Sequence, residues 1–372
     1  MKKYLISGIP PSETGVGYLM VNLEQIAYKY DYDVIYPRHV AKSLRQWQSL
    51  YNPLKVILEL WNRYKRKKEF IYTINNIKDS EVVLVHPQTI GYDNLINIIK
   101  LNQTIKIYVM DNSFFCIKSY NVLNNQECLR CLNNLDDCDT SCLPSPVKYD
   151  KNKNIEYLKL YKELASKISF YSQNNKQEEL LKAHFGSDIN ITKIGLITGE
   201  VFEKELVHSD LKYDIVYHGA NHEAKGIIYT IELAKYLKKY KILIPENRGN
   251  IIYNGVLPEN IIFESMSWNS GLKEAVINSK LVLNPSIWSE PVAGALLKSI
   301  YYNGNVGIPK TKYGFINDIP KGCVLTLNNN IKESAALIES YLNDNNDMST
   351  ISQEWLSKFI LECNLKKLFS VE

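Results

Sequence analysis

Short runs that are apolar at almost every position recur through the first half of the chain: KYLISGI, DVIYP, EVVLVHP, TIKIYVMD and KISFYS. Between them lie helical or polar segments, the clearest being VGYLMVNLEQIAYKY. A strand apolar on both faces must be covered on both faces, and strands alternating with helices pair in parallel. The alternation restarts near residue 213. Strands YDIVYHGA, YKILIP, NIIYNGV, NIIFES and KLVLNPS are expected there, with helices KGIIYTIELAKYLKKY, SGLKEAVINS and PVAGALLKSIYYN. The last helix is SQEWLSKFILECNLKKLF. No sequence repeat is visible, but the architecture occurs twice. The expected fold is therefore α/β, with two Rossmann-like domains facing a cleft. The divisions fall at 1–198, 199–352 and a C-terminal helix at 353–372, the junction lying in GLITGEVFEKELVHSD. Open α/β sheets bind ligands at the carboxyl ends of their strands, so the cleft is where chemistry is expected.

The 372 residues suffice for two domains with a substantial core. With 45% apolar residues, 23% charged and a net charge of +4, the chain has a globular balance, and no nucleic-acid partner is expected. No apolar run approaches the roughly 18–20 residues that span a bilayer. MKKYLISGIPPSETG reads as a strand and a Gly/Pro turn, not a signal peptide. A cytoplasmic location follows as the expectation. Thiols stay reduced there, so the seven cysteines point to metal more than to disulfides.

Three segments converge on anion binding. In SGIPPSETGVGYLMVNLEQIA, Gly15 and Gly17 sit between the first strand and helix, where backbone N–H groups and a helix dipole favour an anion. In YHGANHEAKG, Gly219 follows a strand and Lys225 opens a helix, a position that suits a diphosphate. In LVLNPSIWSEP, a buried strand leads through Ser286 and Trp288 to Glu290 and Pro291 at a helix start. Lys298 follows Glu290 by eight residues, on roughly the same helical face. Each has an ordinary reading as well: a tight turn, a solvated lysine, a packed tryptophan, a first-turn acid.

Taken in this order, the segments resemble the GT-B glycosyltransferases, in particular the retaining branch that carries Glu, seven residues, then Glu. The resemblance runs over nearly the whole chain. It implies a final helix that crosses back to the first domain and a donor side built from Gly15, Gly17, Gly219, Lys225, Ser286, Trp288, Pro291 and Lys298. It also implies that Lys225 meets the donor diphosphate and that Glu290 lies near the sugar. Two departures stand out. The second Glu is Lys298, and the Arg of the strand-end Gly-Arg pair is Ala220. One cation has left the phosphate site and another has entered nearby, which suggests that Lys298 takes phosphate or ribose hydroxyls. No catalytic divalent metal is expected, because helix dipoles and cations can neutralise the leaving diphosphate. DYD at 31–33 reads as a turn.

On the acceptor side Asp111, ending TIKIYVMD, is the first candidate to orient or deprotonate a hydroxyl, and His86, ending EVVLVH, is the second. A strand-end cap is the ordinary reading of Asp111. The loop at 112–146 carries Cys116, Cys128, Cys131, Cys138 and Cys142. Cys-x2-Cys, then x6-Cys-x3-Cys, suits a structural zinc, or alternatively an iron–sulfur cluster. Cys128, Cys131 and Cys142 are the surest ligands, and Cys116 and Cys138 compete for the last place. The loop is expected to shape the acceptor side. LKVILELWNRYKRKKEF, within 55–70, reads either as an amphipathic helix at an anionic membrane face or as a solvated helix end. The expected activity is transfer of a sugar from a nucleotide-diphosphate donor to a glycan or lipid-linked glycan, with retention, in bacterial surface polysaccharide synthesis. A nucleotide-sugar epimerase of the same fold and a catalytically inactive protein that binds sugar-nucleotide or glycan are the rivals.

Overall fold

The computed structural model describes residues 1–12, 15–37, 53–197 and 212–370. In the first half, β1 (Lys3–Ser7), α1 (Gly15–Tyr28), β2 (Asp33–Ile35), α2 (Pro53–Asn75), β3 (Glu81–Val85), α3 (Tyr92–Leu101) and β4 (Thr104–Tyr108) alternate as expected. A long connection follows, holding β5 (Val122–Leu123), β6 (Gln126–Glu127) and α4 (Arg130–Asn133). Then come α5 (Lys151–Glu163), β7 (Ile168–Ser172), α6 (Asn175–Phe185) and β8 (Asn190–Lys193). The second half contains β9 (Ile215–Tyr217), α7 (Ile227–Ala234), β10 (Ile242–Ile244), β11 (Ile261–Phe263), α8 (Leu272–Ile277), β12 (Leu281–Leu283), α9 (Gly294–Tyr302), β13 (Val306–Pro309), β14 (Leu325–Leu327), α10 (Ile331–Asn343) and α11 (Ser349–Glu362).

Each half builds one parallel six-stranded sheet, ordered β2-β1-β3-β4-β7-β8 and β11-β10-β9-β12-β13-β14. The central strands are fully buried along their length, which is why they read as unbroken apolar runs. Polar residues stop and start the helices. Asp150 caps α5 and Asn174 caps α6, each accepting backbone N–H bonds of the first turn. In both sheets the winding direction reverses beside the first strand, between β1 and β3 and between β9 and β12. Loops leaving the two strands diverge at such a point and leave a crevice.

Two expectations need correction. NIIYNGV forms no strand: Arg248–Asn250 is a single turn and Ile252 is 89% exposed. The strands β8, β13 and β14 did not stand out in the sequence. β8 (NITK) and β14 (LTL) are edge strands whose polar residues face outward, so they lack the buried-run signature.

One apolar cluster spans both halves. It joins Leu5, Met20 and Val83 of the first to Leu296, Ile300 and Phe315 of the second, and to Leu356, Leu365 and Phe369 near the C-terminus. α11 itself packs on α9. The crossing to the first sheet comes after it: Asn364 N donates to Ile194 O, and Phe369 meets Tyr32 edge-on. Lys106, ion-paired with Glu81 at 2.8 Å, donates to Ser370 O at 3.0 Å and so ties the chain end to the sheet.

Candidate active site

The carboxyl ends of β9 and β12 carry the expected donor segments. After β9, the chain turns through Glu223–Lys225 into Gly226, whose φ of +73° is left-handed. A Cβ there would lie 1.8 Å from the Pro285 carbonyl oxygen, so the two loops meet backbone to backbone at this glycine. Ile287 N donates to Ala224 O at 3.0 Å and seals the contact. The Tyr217 hydroxyl donates to Ala220 O and folds the Gly219 turn over the strand end. These ties bring Lys225 onto Glu290 as an ion pair. The ammonium also lies 5.4 Å from the Trp288 ring and 5.9 Å from the Tyr120 ring. An aromatic cage on two sides with a carboxylate on the third makes an arrangement that holds a cation while leaving it an exchangeable anionic partner.

The helical placement of Glu290 is corrected. α9 begins at Gly294, and Asn284–Ala293 runs without helix, with Glu290 N bonded to Trp288 O and Phe315 N to Glu290 O. The eight-residue spacing to Lys298 therefore does not put the two side chains on one helical face. Lys298 lies instead over the Trp268 ring, at 4.6 Å, near His218 at the end of β9. Ser286 is partly buried beside a pocket shared with Trp288, Glu290, Pro291, Thr311 and Phe315. In the first half, Gly15 and Gly17 are inside α1, not before it. Gly15 has φ +55° and open space at its Cβ position. A Cβ on Gly17 would strike Ser12, whose N–H donates to Gly17 O.

His86, Gln88 and Asp111 come together at the ends of β3 and β4. Asp111 Oδ2 accepts from Gln88 Nε2 at 2.5 Å and lies 3.6 Å from His86 Nε2, while Gln88 Nε2 is 2.6 Å from His86 Nδ1. Asp111 Oδ1 accepts from Ser113 N, so the carboxylate also performs the ordinary capping task. His86 has φ +57°, an uncommon backbone for a non-glycine residue, held by Thr89 bonding the His86 carbonyl.

The largest departure from expectation is the loop at 112–146, called the strap below. It reaches across to the donor side instead of shaping the acceptor side alone. Asn121 Oδ1 accepts from Ser289 N at 3.1 Å and Asn121 Nδ2 donates to Ser289 Oγ at 2.9 Å. Asn112 Nδ2 donates to Ser289 O at 3.0 Å, and Ser289 Oγ donates to Glu127 at 2.5 Å. Glu127 also accepts from Lys312 N, and Lys118 pairs with Glu223 at 3.7 Å. Tyr120 stands between the halves, 4.6 Å from Trp288, and burial, then Asp111, then Glu290 push its hydroxyl up to about 12. A phenol perturbed by both carboxylates lies between the acceptor and donor sides. Sequence reading missed Tyr120, Asn121, Glu127, Ser289 and Gln88. They carry no motif and acquire meaning only from the crossing.

All five strap cysteines are free thiols, with Cys116 and Cys142 buried and Cys128, Cys131 and Cys138 partly so. Burial raises the Cys116 thiol to about 12 and also raises Cys131 and Cys142, so none of these three is an activated nucleophile as it stands. Among the described residues no three His, Cys, Asp or Glu side chains are arranged as a metal site as they stand.

His218 supplies a pH dependence. Its Nδ1 is 2.8 Å from Ser299 Oγ and its ring stacks on Trp268. Burial, then Lys298, lowers it from 6.5 to about 3. His184 is lowered by burial to about 4. From about pH 6.5 down to these values the unfolded chain binds protons that the native rings refuse, so stability falls as pH falls through that window. The melting temperature should drop between pH 7 and 4, and His218→Gln should make that drop shallower in calorimetric scans. An unchanged slope would remove His218 from the account.

Two doubly wound parallel sheets, with the residues after their strands in contact across a crevice, define the GT-B class of glycosyltransferase fold. No protein-family model matches the chain, and no curated protein does. Solved structures do match. The chain is similar to sucrose-phosphate synthase from Thermosynechococcus elongatus, with a TM-score of 0.58 at 10% identity, covering 99% of this chain and 96% of that one. It is similar to Anabaena HepE, solved with UDP, with a TM-score of 0.58 at 11% identity over 99% and 97%. A glycosyltransferase from Rickettsia africae matches with a TM-score of 0.51 at 12% identity over 99% and 96%. At such identity the likeness establishes the shared fold.

Proposed function

We propose that the protein transfers a sugar, with retention, from a nucleotide-diphosphate-sugar to a glycan or lipid-linked glycan of a bacterial surface polysaccharide. The observation that carries this reading is the Lys225–Glu290 pair at the β9/β12 switch point, inside the Trp288–Tyr120 cage. The donor diphosphate takes Lys225 from Glu290, and the freed carboxylate faces the sugar, where positive charge develops in the transition state. Asp111, oriented by Gln88 and His86, receives the acceptor hydroxyl. The neighbours that share the fold include HepE, solved in complex with UDP-glucose, which supports a nucleotide-sugar donor. A thermal-shift panel of nucleotide-sugars tests the reading, since only a ligand of the native state raises stability. The donor found is then incubated with and without acceptor. Conversion to a second nucleotide-sugar without acceptor would replace the transferase by the epimerase. Binding without turnover would leave the inactive binding protein, and absence of both would remove the nucleotide-sugar donor.

Lys298 assists the same donor from the Trp268 side, reaching the diphosphate or the ribose hydroxyls. Lys298→Glu should weaken donor binding by about 1–3 kcal/mol, roughly 5- to 150-fold, by opposing the diphosphate charge. Calorimetry showing equal or tighter binding would remove Lys298 from the donor site.

A lipid-linked acceptor would place the first half near a membrane, and α2 has the surface for it. Ile57, Leu58, Trp61 and Tyr64 are 60%, 60%, 64% and 51% exposed, beside Lys65, Lys67 and Lys68. No described helix is long and apolar enough to cross a bilayer, so the contact would be peripheral. The protein should float with vesicles containing anionic lipid, and a Trp61→Ala/Lys65→Ala/Lys67→Ala/Lys68→Ala variant should lose about two decades of partitioning, at roughly 1 kcal/mol per basic residue near the surface. Equal flotation of the variant would return α2 to the status of a solvated helix end.

A further inference from the structure

The strap is long, poor in regular structure, and yet grips the donor segment. Between Asn112 and Pro146 it holds only two two-residue strands, the four-residue α4 and one further turn. Its start is anchored in the core by Phe114, Phe115, Cys116 and Ile117, but from Leu123 to Pro146 only Leu132, Leu135, Cys142 and Pro144 are buried. A connection of this length inside an α/β domain needs some other source of order.

The thiols gather in one place. Cys138 neighbours both Cys131 and Cys142, though its Sγ is turned to Asp139 O at 3.8 Å. Cys128 is close enough to interact electrostatically with Cys116, Cys131 and Cys142. Cys131 and Cys138 pack against the apolar cluster that contains Cys142. Two cations border the group: Lys151 donates to Cys138 O at 3.3 Å, and Lys118 lies near Cys116 and Cys142. Four thiolates around a divalent cation carry two net negative charges, and these lysines would offset part of them. Cys116 differs from the rest. It is held by its backbone to Asn112 O and precedes the Cys-x2-Cys turn by a long stretch.

We propose that Cys128, Cys131, Cys138 and Cys142 bind one zinc ion as a closed four-thiolate centre, and that this centre sets the strap's grip on Ser289, the residue before Glu290. The connection is short and covalently continuous. Cys128 N donates to Asn121 O at 2.7 Å, and Asn121 Nδ2 donates to Cys128 O at 3.1 Å. The same Asn121 side chain bonds Ser289 on the other half, and Glu127, the neighbour of Cys128, bonds Ser289 and Lys312. Fixing Cys128 therefore fixes two of the three strap residues that bond Ser289, the third being Asn112. The thiol side chains turn inward on loading, and the four S–H protons are released to solvent. The proposal stands independently of the sugar-transfer reading, because it concerns metal content and the contact between the halves.

The test uses the full chain, stripped with chelator under reducing conditions and titrated with Co²⁺ as the spectroscopic probe. One equivalent should give thiolate-to-cobalt charge transfer and the intense visible bands of a tetrahedral site, both displaced by one equivalent of Zn²⁺. Cys128→Ser and Cys138→Ser should lose these bands, while Cys116→Ser and the distant Cys323→Ser keep them. Hydrogen exchange on the wild type, with and without Zn²⁺, should show added protection at 112–146 and at 286–293 together. This arm needs no variant to fold. Absence of cobalt–thiolate absorption overturns the site, and iron with acid-labile sulfide overturns the choice of zinc. Loss of the bands in Cys116→Ser with retention in Cys138→Ser overturns the ligand set. Protection confined to the strap overturns the link to the donor segment.

Discussion

Glu290→Gln should lower kcat by on the order of 10²-fold or more, about 2.7 kcal/mol of transition-state stabilisation. The substitution keeps shape and leaves an oxygen to accept from Lys225, so the fold around Trp288 and Phe315 is undisturbed. In the proposed reaction, what disappears is a fixed negative charge beside the sugar. A second consequence separates this role from a structural one. If the donor takes Lys225 from this carboxylate, as proposed, Glu290→Gln should bind the nucleotide-sugar as tightly as the wild type or more tightly, even as turnover collapses. Rapid-quench kinetics and calorimetry with the same donor measure both. Unchanged kcat would end the assignment, and parallel loss of binding and turnover would make Glu290 a structural residue.

Lys225→Ala should have the opposite signature: donor affinity falls by about 1.5–3 kcal/mol, roughly 10- to 150-fold, the usual worth of a hydrogen bond to a charged group. It also leaves Glu290 without its partner in a site where the two side chains are 13% and 22% exposed, so some stability goes with it. Adding Glu290→Gln removes that stranded charge. The double variant should therefore recover part of the melting temperature but none of the donor affinity, and the two substitutions should fail to add. If Lys225→Ala binds the donor like the wild type, the pair is a structural clip and the diphosphate lies elsewhere.

What could be read in advance follows from what local chemistry controls. Strands such as EVVLV and LVL are buried by two helical layers, so every position answers to the hydrophobic effect and the run is visible without the fold. Gly226 was read only as part of a helix start; that the turn there must be left-handed and free of a Cβ follows from the approach of the Pro285 carbonyl. The meeting of Lys225 with the Glu290 segment was anticipated because both follow strands on either side of a switch point, a matter of topology more than of side-chain detail. β8 and β14 stayed hidden because an edge strand buries too little to impose a pattern.

The strap marks the boundary. Its cysteine spacing is local and legible, but its destination is not. That Asn121 and Glu127 hold Ser289, and that Tyr120 stands between Asp111 and Glu290, depends on how two separately wound sheets approach one another. Lys298 shows the same limit on a smaller scale. Counting residues from Glu290 along an assumed helix put it in the Lys225 cleft, whereas the late start of α9 turns it towards Trp268. Alternation of apolar runs and helices, set by burial and backbone geometry along the chain, was enough to specify two parallel sheets. The pairing of residues across the crevice was decided only when the halves packed, because contacts between distant segments follow the relative position of whole domains, and no local propensity encodes that.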